Sequence, residues 1–136
     1  MLSALPRSRW PVLATGALLV ALSVAAGRTW QQQQRSESVA VAMTGGDPAR
    51  APAAIRRYGC GGCHTIPGIP GGDGQVGGPL ADTIHRVYVG GVVTNSPENL
   101  GQWIVSPQAF SPRSAMPATG ISEAEARDVA AYLYSR

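Results

Sequence analysis

The sequence predicts a small all-α domain preceded by a single N-terminal apolar helix. Three observations lead there. Residues 10–27 carry no charge. Two later segments open with clear helix-start signals. No apolar alternation is longer than a fragment, Val89–Val93 being the best strand candidate. At 136 residues the chain has room for one small domain.

The apolar segment follows Arg7 and Arg9 and fits two processes. A secretory signal has a basic start, a run of about 7–15 apolar residues and a small-residue cleavage site, for which Val24-Ala25-Ala26 would serve. A membrane anchor needs about 20 mostly apolar residues. Trp10 to Trp30 has that length, with an indole at each boundary where interfacial aromatics sit. The apolar run is long for a signal and short for an anchor, and the preferred reading is a retained anchor over residues 1–30. In either case the leading arginines stay inside and the remainder is exported. No cysteine ends the apolar run, so a lipid anchor there is excluded.

Residues 31–50 begin Gln31-Gln32-Gln33-Gln34-Arg35 and end Gly45-Gly46-Asp47-Pro48. Polar at first and then Gly/Pro-punctuated, they read as a flexible linker. As a random coil they would span about 25 Å. The domain proper occupies residues 51–136. Its first helix should run through Ala54, Ile55 and Tyr58 into Gly59-Cys60. Residues 67–79 hold too many glycines and prolines for a helix or strand. Leu80, Ile84, Val87 and Tyr88 recur at helical spacing and predict a helix over 80–88, ended by Gly90-Gly91. Ser96-Pro97-Glu98 supplies a hydroxyl cap, a proline in the first turn and an acid for the helix dipole. The helix that follows puts Leu100, Trp103 and Ile104 on one face and stops before Pro107. Ser122-Glu123-Ala124-Glu125 is a capping box, opening a last helix with the stripe Ala126, Val129, Ala130, Leu133.

The net charge of +3 arises mostly in the first thirty residues, and all eleven basic residues are arginine. From residue 51 onward six arginines balance six acids. A nucleic-acid surface needs a clustered basic patch, which this domain lacks. No acid pair, Ser/His/Asp set or P-loop appears, so catalysis of its own is not expected. The glycines at 71–78 lack a P-loop's lysine and helix start.

Both cysteines of the chain belong to one run, Cys60-Gly61-Gly62-Cys63-His64. Two thiols at this spacing can each add to a porphyrin vinyl group, and the next residue can put an imidazole on the iron. Cys-x-x-Cys also occurs in zinc and thiol-redox sites. Zinc normally takes four protein ligands, and only His64 and His85 could join the thiolates. A thioredoxin-like motif should follow a strand, whereas a helix precedes Cys60. The reading is one covalently bound haem c. Its attachment outside the bacterial cytoplasmic membrane agrees with the export segment.

The iron's sixth ligand has three candidates: Met116, His85 and Met43. Met116 lies in the proline-bracketed loop Pro112-Arg113-Ser114-Ala115-Met116-Pro117 and is preferred, because an extended loop can hold a thioether at fixed reach. His85 falls within an apolar segment, Met43 in the linker, and an open site is a further alternative. His/Met ligation suits electron transfer.

The stretch from about Gly45 to Tyr134 resembles class I c-type cytochromes, especially small bacterial membrane-anchored monohaem domains. The matching residues are Tyr58-Gly59-Cys60-Gly61-Gly62-Cys63-His64, Gly78-Pro79-Leu80, Asn99-Leu100-Gly101-Gln102-Trp103-Ile104, Ala115-Met116-Pro117 and Asp128-Val129-Ala130-Ala131-Tyr132-Leu133. The resemblance implies a class I cytochrome c fold around one covalent haem. It implies that Cys60 and Cys63 hold the haem, with His64 and Met116 on the metal. Pro79 would then present its carbonyl to the other nitrogen of His64. Trp103 would lie near a propionate, or simply pack in the core. The first and last helices would cross at Ala54/Tyr58 and Val129/Tyr132. The lysine-rich face of the familiar soluble members is missing.

The function expected from this is a membrane-tethered single-electron carrier. Its partners would be a donor and an acceptor redox protein, such as a terminal oxidase or a quinol-oxidising complex. The alternatives are a fixed haem subunit of a larger membrane oxidoreductase and a haem-based gas or redox sensor. The haem domain is expected on the periplasmic side of a single-pass anchor. About 85 residues with few large apolar side chains make a thin core, so the domain is expected to fold poorly without haem.

Overall fold

The computed structural model describes residues 10–136; the leading Arg7 and Arg9 lie outside the described residues. The chain divides into two units, one ending at Gln34 and the other spanning Arg35–Arg136. Helix α1, Trp10–Thr44, contributes to both.

In the first unit α1 is built from Ala, Leu and Val, with Pro11 in its opening turn, where no intrahelical N–H bond is lost. Leu13, Leu18, Leu19 and Leu22 are each 57–60% exposed, so no protein surface covers the apolar side chains. Thr15 and Ser23 turn their hydroxyls back to the carbonyls of Pro11 and Leu19, at 2.7 and 2.8 Å. That satisfies them within the helix. By length and composition this helix can cross a membrane.

The helix continues through Gln31–Thr44, where a flexible linker was expected. The reason is local. Between Arg28 and Thr44 there is no Gly or Pro, and Gln, Ala, Arg and Glu are good helix formers however polar they are. In the second unit its end is packed: Ala40 is fully buried and Thr44 nearly so. The non-helical turn that follows is also held. Asp47 N donates to Asp128 Oδ1 at 2.7 Å, and the Arg50 guanidinium meets the same carboxylate at 3.0 Å.

Three longer elements form the body of the second unit: α2 (Ala51–Arg57), α3 (Pro97–Val105) and α5 (Glu123–Tyr134). Helix α5 packs against both α2 and α3. Its stripe Ala126, Val129, Ala130 and Leu133 is buried, with Ile55 of α2 and Leu100 and Ile104 of α3 in the same core. The cap signals operate as read. Ser96 Oγ accepts from Asn99 N at 3.1 Å. Ser122 and Glu125 form a reciprocal capping box. Tyr58 and Tyr132 act through their hydroxyls, donating to Glu125 and to the Pro67 carbonyl at 2.9 and 2.6 Å.

The helix expected over Leu80–Tyr88 does not form. One 3-10 turn, Thr83–His85, is followed by a hairpin of β1 (Tyr88–Val89) and β2 (Val93–Thr94), with Val89 opposite Val93. Two residues break the helix. Asp82 adopts φ +53°, and the Asn95 amide captures the carbonyls of Thr83 and Arg86 at 2.8 and 3.0 Å. Backbone groups bonded to a side chain cannot extend a helical ladder. The short α4 (Pro107–Phe110) was not anticipated; Pro107 stops α3 but also opens this further turn.

Candidate haem site

The motif sits just past the C-terminus of α2, on a 3-10 turn over Cys60–Gly62. His64 N donates to the Cys60 carbonyl at 3.0 Å, so one turn of backbone carries Cys60, Cys63 and His64. The glycine-rich stretch after it folds back on the motif. Gly74 N donates to the Gly61 carbonyl at 3.0 Å and Gly77 N to the Cys63 carbonyl at 2.7 Å. At Gly77 a β-carbon would lie 2.3 Å from His64 Cε1, so only glycine lets this backbone pass the ring.

His64 Nδ1 is 2.7 Å from the Gly78 carbonyl. A carbonyl can only accept, so Nδ1 carries the proton and Nε2 keeps its lone pair. The contact expected of Pro79 is thus made one residue earlier. The Pro79 carbonyl instead accepts from the Arg86 guanidinium, which also donates to the Ala81 carbonyl at 3.2 Å.

Beside the motif lies a cavity of about 220 Å³. Cys60, His64, Trp103 and Met116 all line it, with Ile66, Leu80, Leu100 and Ile104 supplying apolar wall. Cys63 is exposed and is not among its lining residues, and both cysteines are free thiols. Burial pushes the Cys60 thiol up. Trp103 presses its indole against Gly90, where a β-carbon would lie 2.3 Å from Cη2. His85 is exposed on its 3-10 turn. Met43 lines a separate, larger groove of about 660 Å³ that contains no residue of the motif. Among the described residues no three of His, Cys, Asp and Glu gather as a metal-binding group.

The structure therefore brings together four of the six residues singled out in the sequence: Cys60, His64, Met116 and Trp103. Cys63 precedes His64 in the chain but does not line the cavity, and Pro79 serves the Arg86 contact. Gly77, Gly78 and Arg86 were not singled out as site residues. Arg86 carried a signal, being the one arginine inside the apolar stretch Ile84–Val89.

An apolar cavity lined by Cys60 and His64 of a Cys-x-x-Cys-His run, the histidine offering a free ring nitrogen, fits a c-type haem protein. The cytochrome c family profile matches residues 48–136, and the chain belongs to the cytochrome c family. The family carries covalently bound haem c and serves electron transfer. The residues present fit that group, from the thiol spacing to the apolar wall and the oriented imidazole. Cytochrome c oxidase subunit 2 of Alkalihalophilus pseudofirmus is 36% identical over 78 residues, which are 56% of this chain and 22% of that protein. No solved structure matches the chain.

Proposed function

We propose that this protein is a membrane-tethered monohaem electron carrier, in which Cys60 and Cys63 would hold the haem and His64 and Met116 would ligate its iron. The observation that carries the ligand assignment is the sharing of one cavity by His64 and Met116. Bound haem c supplies a reversible one-electron exchange at iron. The protein's part is orientation and exclusion. The Gly78 carbonyl fixes the tautomer and plane of His64. The apolar wall would keep water off the group, and with the Met116 thioether it would favour the less charged ferrous state and so a higher potential. Helix α1, long and apolar enough to span a bilayer, supports tethering. The haem domain then faces the periplasm, where a donor and an acceptor redox protein exchange electrons with it. No set of side chains at the cavity suggests a reaction of its own.

The test is a carbon monoxide difference spectrum of the reduced, haem-loaded full chain in detergent. No change in the wild type and a ready shift in Met116→Ala support His/Met ligation and a carrier. A ready shift in the wild type overturns it in favour of a gas or redox sensor.

A second reading, a fixed haem subunit of a larger oxidoreductase, is favoured by one observation: the similarity to part of an oxidase subunit. Co-purification with a stable complex in mild detergent supports the subunit reading, and isolation of a free monohaem protein supports the carrier.

A further inference from the structure

We propose that Gln108 is a positioning residue for the Met116 thioether: its side-chain amide clamps the methionine's own carbonyl and so sets the reach of the sulfur into the cavity. This rests on the assignment of Met116 as axial ligand. Gln108 Nε2 donates to the Met116 carbonyl at 2.7 Å. On the other side, Met116 N donates to Ser114 Oγ at 3.2 Å. The peptide units flanking the methionine Cα are thus both held by side chains.

The loop needs such holding. Residues 111–122 contain no helix or strand, and Pro112 and Pro117 have no N–H to give. A half-buried methionine in this stretch has three rotatable side-chain bonds and little ladder to fix its backbone. Gln108, by contrast, stands on a fixed element. Helix α4 begins at the fully buried Pro107 and ends at Phe110, whose ring centroid is 6.2 Å from that of Trp103. Trp103 lines the same cavity as Met116. The clamp therefore ties the ligand loop to an element that packs against another residue of the cavity wall. Contacts one step out from a metal ligand commonly change its occupancy by an order of magnitude or more.

The experiment uses the haem-loaded full chain in detergent. Two quantities are read against haem content: the far-red sulfur-to-iron charge-transfer band of the ferric protein, and carbon monoxide binding to the ferrous protein. Gln108→Glu keeps the length and removes the donor. Gln108→Arg puts an N–H the same number of bonds from the backbone and restores it. Gln108→Glu should weaken the far-red band and raise the open, carbon monoxide-reactive fraction about tenfold, equivalent to about 1.4 kcal/mol, the size of one hydrogen bond. Gln108→Arg should recover both toward wild type. A general loss of stability would not be reversed by the arginine. Wild-type band and carbon monoxide resistance in Gln108→Glu overturn the proposal, as does a Gln108→Arg protein that behaves like Gln108→Glu. A wild type with no far-red band marks instead the failure of the Met116 assignment, and the clamp falls with it.

Discussion

His64 Nδ1 and the carbonyl oxygen of Gly78 lie 2.7 Å apart, and this contact orients the imidazole with its other nitrogen free. The geometry depends on Gly77. Its backbone passes the ring so closely that an added β-carbon would fall 2.3 Å from Cε1. Gly77→Ala should therefore displace the imidazole or the loop and cost about 1–3 kcal/mol, the range for overpacking. Thermal melting of the haem-loaded protein, together with its visible spectrum, checks this. Gly78→Ala is the control: a β-carbon there meets nothing within 4 Å and should leave both readouts near wild type.

A second prediction concerns acid. Glu125 ties the start of α5 to the end of α2. It accepts from Ser122 at the start of α5, from the Tyr58 hydroxyl at 2.9 Å and from Arg57 at 2.7 Å. The Ser122 and Tyr58 hydrogen bonds hold its carboxyl below the ordinary value of 4.5. Because the folded value is the lower one, its stabilisation is present above pH 4.5 and is lost as pH falls through the folded value. Denaturant titrations at falling pH should show a steeper acid loss in the wild type than in Glu125→Gln. Parallel curves would contradict it.

The junction of α1 with the domain rests on Asp128. This buried carboxylate accepts from Asp47 N and meets the Arg50 guanidinium. Asp128→Ala leaves the Asp47 N–H without its acceptor and should destabilise by about 1–2 kcal/mol. Asp128→Asn keeps an acceptor oxygen and should cost less. Arg50→Ala removes an exposed partner and should cost little by itself, as exposed ion pairs do. Thermal midpoints of the three variants check the order.

At the alkaline end the tested group is Tyr134. Its hydroxyl donates to Asn95 Oδ1 at 2.7 Å, and burial, with the charge of Glu98, pushes its pKa up to about 12. The folded value exceeds the ordinary 10, so the neutral phenol's stabilisation is present below pH 10 and is lost as pH rises toward 12. A spectrophotometric titration should show a tyrosine ionising near 12 that disappears in Tyr134→Phe. The same substitution should loosen Asn95, whose amide holds the carbonyls of Thr83 and Arg86.

The sequence by itself determined the parts governed by near neighbours. Cys60, Cys63 and His64 sit within one turn, so their chemistry is legible without a fold. The caps at Ser96 and Ser122 work over three residues and formed where they were read. The stripe Ala126–Leu133 announced a buried face, because a 3.6-residue period needs only one helix to be seen. Tertiary structure decided what depends on distant residues. Asn95 turned the apparent helix of 80–88 into a 3-10 turn and hairpin by taking its carbonyls. Packing buried Ala40 and gave the end of α1 a place on the domain, where polar composition had suggested coil. Arg86 drew off the Pro79 carbonyl, leaving that of Gly78 for His64. The Gln108–Met116 clamp joins residues eight apart across a loop with no periodicity, and a hydrogen bond of that kind leaves no pattern in sequence.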